Sequence, residues 1–222
     1  MRILVFGGTG TIGRACVELG RVSGHEVVVA SRTTQDEESV ALKNDFSGLE
    51  STLLPFDGVI WAQGMNKTDL AHESSSFDEV MDANVGFIVK SFSSLYQQKL
   101  FSRPARLVLV SSVWQNLSRE QKFSYTVSKS AINGLVNAFT ADYAQHGIIT
   151  NAVLPGVIES PMTRKNLSHE QIDNVINQTP ARALVSISEL AKNILWLASP
   201  ESSGIAGQCI TVDNGWSSFR AI

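Results

Sequence analysis

Little in this 222-residue chain points to crosslinks, metals, membranes or nucleic acid. It has only two cysteines, Cys16 and Cys209, far apart and in strongly patterned segments. Such a pair reads as two buried free thiols in a reducing compartment, which excludes a disulfide framework. The four histidines, His25, His72, His146 and His169, share no ligand spacing. They are expected at the surface or in loops, with no metal site. The formal net charge is −3 and no basic block occurs, so nucleic acid is not an expected partner. No apolar run approaches the ~18 residues of a membrane span. Met1-Arg2 passes directly into the strand-like Ile3-Leu4-Val5-Phe6, without room for a signal peptide. A cytoplasmic protein without membrane contact is expected. Linkers, repeats and low-complexity tracts are also missing.

What is present is a regular alternation. Short runs rich in Val and Ile, apolar on both faces, fall at Ile3–Phe6, Glu26–Ala30, Gly58–Ala62, Arg106–Ser111, Ile148–Leu154 and Gln208–Val212. That is the pattern of parallel strands covered on both sides. Helical periodicity lies between them, at about Ile12–Val22, Phe77–Leu100, Ser124–Gln145 and Ser188–Ala198. In the second helix Met81, Val85, Ile88, Phe92 and Leu95 form the inner stripe, and Ser74-Ser75-Ser76 is expected to cap its start. Val40–Leu42 reads as a short extra strand in the poorly patterned stretch Thr33–Asp57. The fold class is α/β, a doubly wound parallel sheet with helices on both faces. With 43% apolar residues, the length supports one sizeable core.

Two motifs carry chemistry. Gly7-Gly8-Thr9-Gly10-Thr11-Ile12-Gly13 follows the first strand and opens the first helix. Glycines there let the backbone approach a pyrophosphate, and the helix N-terminus offers free N–H donors. After the second strand, a ribose with free hydroxyls calls for an acid. The chain has Ala30-Ser31-Arg32 instead. An arginine in that place suits a 2′-phosphate, hence NADP(H) in preference to NAD(H); an exposed loop arginine is the alternative. The second motif is Tyr125-Thr126-Val127-Ser128-Lys129. Four residues of helix place a phenol and an ammonium on one face, about 6 Å apart along the axis. A cation near a phenol favours phenolate. Bringing a tyrosine to neutral pH takes about 4 kcal/mol, which one charge at ~4 Å supplies when the effective dielectric is about 20. The alternative is a half-buried ring beside a solvated amine.

With these motifs in place, the chain resembles the short-chain dehydrogenase/reductase family over essentially its whole length. Gly7–Gly13 resembles the cofactor turn of that family. Asn84 in Met81-Asp82-Ala83-Asn84-Val85 resembles its active-site asparagine, and Ser111-Ser112 its serine pair. Tyr125 and Lys129 match its Tyr-x-x-x-Lys signature, thirteen residues after Ser112. Asn151 to Met162 resembles its Pro-Gly segment, and Gly207 to Gly215 its last strand. Three departures stand out. Trp61-Ala62-Gln63-Gly64 replaces the usual Asn-Asn-Ala-Gly, with only Gly64 in place. Thr11 stands where simple members often carry glycine. The stretch from Arg32 to Gly64 is short, as if the helix after strand two were cut back to a loop.

The resemblance implies hydride transfer between a nicotinamide and a small carbonyl or alcohol; Arg32, with a cytosolic NADP pool normally kept reduced, favours the reductase direction. It implies Asn84, Ser112, Tyr125 and Lys129 as the catalytic set. Tyr125 would move the proton, Lys129 would lower its pKa and hold ribose hydroxyls, Ser112 would bond the reacting oxygen, and Asn84 would hold a water. It implies cofactor contacts at Gly7, Thr9, Gly10, Thr11, Ile12, Gly13, Ser31, Arg32, Asp45, Ala62, Gly64, Tyr125, Lys129, Pro155, Gly156, Val157 and Ser160. Residues 1–222 would form one NAD(P)-binding domain with a built-in substrate segment at about 157–187. The substrate wall would come from Val113, Trp114, Met162 and Thr163–Pro180. A homodimer or homotetramer, joined through the second and third helices, is expected. A cofactor-binding sensor or structural protein with little chemistry is the competing reading, and a lyase or epimerase on the same scaffold is a third.

Overall fold

Ile3, Leu4, Val5 and Phe6 are all fully buried, and their side chains alternate between two apolar clusters. Burial of each contributes roughly 1.5–3 kcal/mol. A strand this apolar on both faces has to be covered on both faces, and the rest of the chain does so. The structure, a computed structural model, describes residues 1–31, 39–41, 46, 49, 54–73 and 75–219. Its strands are β1 (Arg2–Phe6), β2 (Glu26–Ser31), β3 (Ser39–Ala41), β4 (Phe56–Trp61), β5 (Phe101–Val110), β6 (Ile148–Pro155), β7 (Ile158–Glu159), β8 (Val185–Ser186) and β9 (Cys209–Val212). Its helices are α1 (Thr11–Val22), α2 (Phe77–Met81), α3 (Phe87–Gln97), α4 (Phe123–Tyr143), α5 (Pro161–Asn166), α6 (His169–Gln178) and α7 (Ile187–Leu197).

Seven strands form one sheet in the order β3-β2-β1-β4-β5-β6-β9, every neighbouring pair parallel. Leu4, Phe6 and Trp61 pack with Ile88 and Phe92 of α3 and Ile132, Val136 and Phe139 of α4. Ile3 and Val5 pack on the other side with Cys16 and Val17 of α1 and Leu190 and Ile194 of α7. This is the doubly wound sheet that the alternation of elements predicts. β1 pairs with both β2 and β4, so the winding reverses there. The crevice beyond the carboxyl ends of β1 and β4 is where such sheets bind ligands.

Several sequence expectations need correction. The helix expected over Phe77–Leu100 ends at Gln97, and α2 and α3 are joined by a π-helical turn, Asp82–Gly86. The wider turn shifts the buried phase upstream, so Val80 and Asn84 are buried while Met81 and Val85 are only half-buried. Ser76 precedes α2, but its side chain does not cap the helix and instead donates to Asp69 at 3.3 Å. β5 begins at Phe101 rather than Arg106 and ends before Ser111. Pro104 is tolerated within it because the register with β4 is irregular between Phe56 and Gly58. The extra strand near Val40 is present as Ser39–Ala41, with Leu42 outside the described residues. Helices α5 and α6 were not anticipated from the polar segment that holds them. Cys16 is buried and Cys209 only half-buried; both are free.

Candidate active site

The glycine turn is dictated by close packing. Gly7 has φ of 75°, and a Cβ there would lie 2.5 Å from Gln63 N, so the turn after β1 touches the turn after β4 directly. A Cβ on Gly13 would lie 2.2 Å from Gly7 O, which brings α1 hard against the turn. Gly10 is the N-cap of α1 and supplies no side-chain bond, and the first turn carries no acidic residue. The leading N–H groups and the positive end of the helix dipole are therefore available to an anion. Thr9 and Thr11 are exposed beside them, while Ile12 packs on the core. These features fit a dinucleotide diphosphate. Ser31 ends β2 as a buried residue. Arg32 and Asp45 lie outside the described residues.

Trp61, the first residue of the departing motif, is a core residue. It stacks on Phe6 with ring centroids 5.4 Å apart, and its indole N–H donates to Ser91 Oγ at 2.8 Å. Ala62 and Gly64 follow at the crevice. A Cβ on Gly64 would meet Asn84 Oδ1 at 3.1 Å and Lys129 Nζ at 3.6 Å, so glycine keeps the space beside both groups open.

The π-helical turn presents Asn84 inward, and its amide is locked. Oδ1 accepts from Met65 N at 2.6 Å, and Nδ2 donates to Met65 O at 2.9 Å and to Ser128 Oγ at 2.8 Å. Ser128 in turn donates to Tyr125 O at 2.8 Å. Lys129 is 4% exposed and donates from Nζ to Val110 O at 3.0 Å. Its Nζ lies 5.7 Å from the centroid of the Tyr125 ring. Ser112, just past β5, is buried and joined by a side-chain hydrogen bond to Tyr125. The structure thus gathers Asn84, Ser112, Tyr125, Lys129 and Gly64 in one place.

The titration of the pair differs from the sequence expectation. Burial raises the Tyr125 phenol above its ordinary value, with the Ser112 hydrogen bond acting in the opposite direction. Burial also pushes Lys129 down to about 8. The expectation of a phenol lowered by its lysine therefore does not hold here: removal from water is the leading cause for both groups and penalises both charged forms.

Sequence reasoning missed the residues that hold the start of α4. That helix has no side-chain cap of its own. Asp69, from the segment after β4, accepts from Ser124 N at 3.0 Å and also from Ser124 Oγ. Lys122 Nζ donates to Asn66 Oδ1 at 2.9 Å, to Lys67 O and to Thr68 Oγ1. These bonds fix the segment carrying Met65 to the helix carrying Tyr125.

Across the crevice, Pro155 ends β6, and a Cβ on Gly156 would lie 2.6 Å from Asp213 Cβ. Val157 O accepts from Val185 N, and the Ser160 hydroxyl serves as N-cap of α5. In the expected substrate wall Val113 is buried. Trp114 sits edge-to-face on Trp216 at 5.7 Å. Ser168 and Gln171 form the capping box of α6, and Ile172 is buried. Their polarity is used by the helix start. Among the described residues no group of His, Cys, Asp and Glu could hold a metal, and no helix is long and apolar enough to cross a membrane.

A family model described as enoyl-(acyl carrier protein) reductase matches residues 8–217. The 3-oxoacyl-(acyl-carrier-protein) reductase FabG of Rickettsia bellii is 27% identical, over 96% of this chain and 95% of its own length. Galactitol 2-dehydrogenase of Rhizobium johnstonii is 26% identical, over 97% and 94%. Among solved structures, the aldohexose dehydrogenase of Thermoplasma acidophilum superposes with a TM-score of 0.89 at 22% identity, covering 100% of this chain and 95% of that one. A 4-hydroxyisoleucine dehydrogenase complexed with NADH superposes with a TM-score of 0.85 at 20% identity, covering 99% of both. At such identities the likeness shows the fold.

Proposed function

This chain belongs to the short-chain dehydrogenase/reductase family of oxidoreductases, and on that premise we propose that it uses NADP(H) to reduce a small carbonyl compound to its alcohol. One observation carries this reading: Asn84 (through Ser128) and Ser112 are hydrogen-bonded to Tyr125, and the Lys129 Nζ lies 5.7 Å from the Tyr125 ring centroid beside Gly64, next to a glycine turn with an open helix N-terminus. When bound, the nicotinamide would supply the hydride. Gly7–Gly13 would hold its diphosphate, Lys129 a ribose, and Pro155–Ser160 its carboxamide.

The residues themselves support reduction. A phenol with a raised pKa keeps its proton at neutral pH, and a protonated Tyr125 can give that proton to a carbonyl oxygen as charge develops there. Lys129, cationic below about pH 8, stabilises the phenolate left behind. Ser112 donates a hydrogen bond to the same oxygen. Asn84 Oδ1 retains a lone pair for a water beside Lys129. The absence of an acid in Ala30-Ser31-Arg32 favours a 2′-phosphate. The whole chain acts as one domain, in the cytoplasm, as a homodimer or homotetramer.

A panel of ketones and aldehydes with NADPH consumption as readout tests this reading. Turnover with NADPH, and loss of most of the preference over NADH in Arg32→Ala, are the expected results. Failure across the panel, with the dinucleotide still bound, favours a cofactor-binding sensor; equal affinity for NADPH and NADH in the wild type removes the 2′-phosphate assignment.

A further inference from the structure

Gln63 stands between the two halves of the proposed site. Its backbone nitrogen borders the glycine turn at Gly7, and the next residue, Gly64, borders Asn84 Oδ1 and Lys129 Nζ. Yet its side chain does nothing visible. Both Oε1 and Nε2 are withdrawn from solvent and neither has a hydrogen-bond partner. Among the described residues no other side chain has two such atoms. Asn84, by contrast, pairs both ends of its amide. A carboxamide with two donors and an acceptor, all unpaired in a dry place, loses stability for the fold. No hydrogen bond holds its carboxamide where it lies, and the side chain has three rotatable bonds while the residue as a whole is only half-buried.

We infer that Gln63 is a cofactor-recognition residue whose carboxamide turns out to pair with a ribose diol of the bound dinucleotide. The inference rests on the dinucleotide-binding reading above. The chemistry of the amide selects the diol. A phosphate offers acceptors alone, so it would satisfy Nε2 and set Oε1 against an anion. Two vicinal hydroxyls, each donor and acceptor, satisfy both ends at once. Glutamine therefore replaces the family's usual alanine at this position with a group that adds affinity.

The test compares wild type, Gln63→Met and Gln63→Ala for NADPH and NADH affinity by fluorescence quenching, and for the thermal midpoint of the unliganded protein. Methionine keeps length and volume but cannot form the bonds. Both variants are expected to bind about tenfold more weakly, the effect of one or two hydrogen bonds, with an unliganded midpoint equal to or above that of wild type. A loss for NADPH and NADH alike assigns the nicotinamide ribose, and a loss for NADH alone assigns the adenosine ribose. Unchanged affinity in Gln63→Met overturns the inference, as does a lowered midpoint in Gln63→Met, which assigns the amide a structural role. Failure of the wild type to bind either dinucleotide overturns the functional reading itself, a result distinct from the other two.

Discussion

Lys129 is an ammonium held where water cannot reach it, and it donates to the carbonyl of Val110. The site carries a stability penalty for it. The folded-state pKa of about 8 lies below the ordinary 10.5, so between those values the unfolded chain binds more protons than the folded one. Stability from this group therefore rises with pH across that window, and below it the full penalty of about 3 kcal/mol applies. In urea titrations of the unliganded protein, Lys129→Met is expected to be more stable than wild type below pH 8, with an advantage that shrinks towards pH 10.5. A pH-independent difference would contradict the account. The spacing of Tyr125 and Lys129 was legible in the sequence, but their titration was not. Spacing places two side chains on one helical face, whereas burial depends on what Val110, Ser112 and Gly64 bring to that face.

At the scale of elements, what the sequence showed were long apolar periodicities. β1, β2, β4 and β6, and α1, α4 and α7, lie within a few residues of where Val- and Ile-rich runs and helical stripes place them. The π-helical turn at Asn84 was illegible, because it is a choice of backbone register rather than of residue type. It brings the asparagine inward at the level of Ser128, and such turns recur at functional sites. Helices α5 and α6 were hidden by polarity, although Ser168-x-x-Gln171 ahead of Ile172 was a readable capping box. The same device starts α7, where Ser186 Oγ accepts from Glu189 N at 3.1 Å and Glu189 reaches back to Ser186 N. α7 covers one face of the sheet through Leu190 and Ile194. Ser186→Ala is expected to lower unfolding stability by about 1 kcal/mol, read from denaturant midpoints, while cofactor affinity stays unchanged. No loss of stability would show that Glu189 alone satisfies the helix start.

At the scale of the whole molecule, the sheet order explains why distant segments meet. β1 and β4 lie side by side at the reversal of winding, so the turns after them, Gly7–Gly10 and Ala62–Gly64, touch. β5 and α4 then bring Ser112, Tyr125 and Lys129 to the same end of the sheet. The central claim is that the Tyr125 phenol moves the proton while the rest of the cleft holds the ligands. The direct measurement is steady-state turnover of Tyr125→Phe on a ketone accepted by the wild type, beside its affinity for NADPH. The expected result is a fall in kcat of about 100-fold or more, with NADPH binding within about twofold of wild type. A phenylalanine variant that turns over as fast as the wild type would contradict the account.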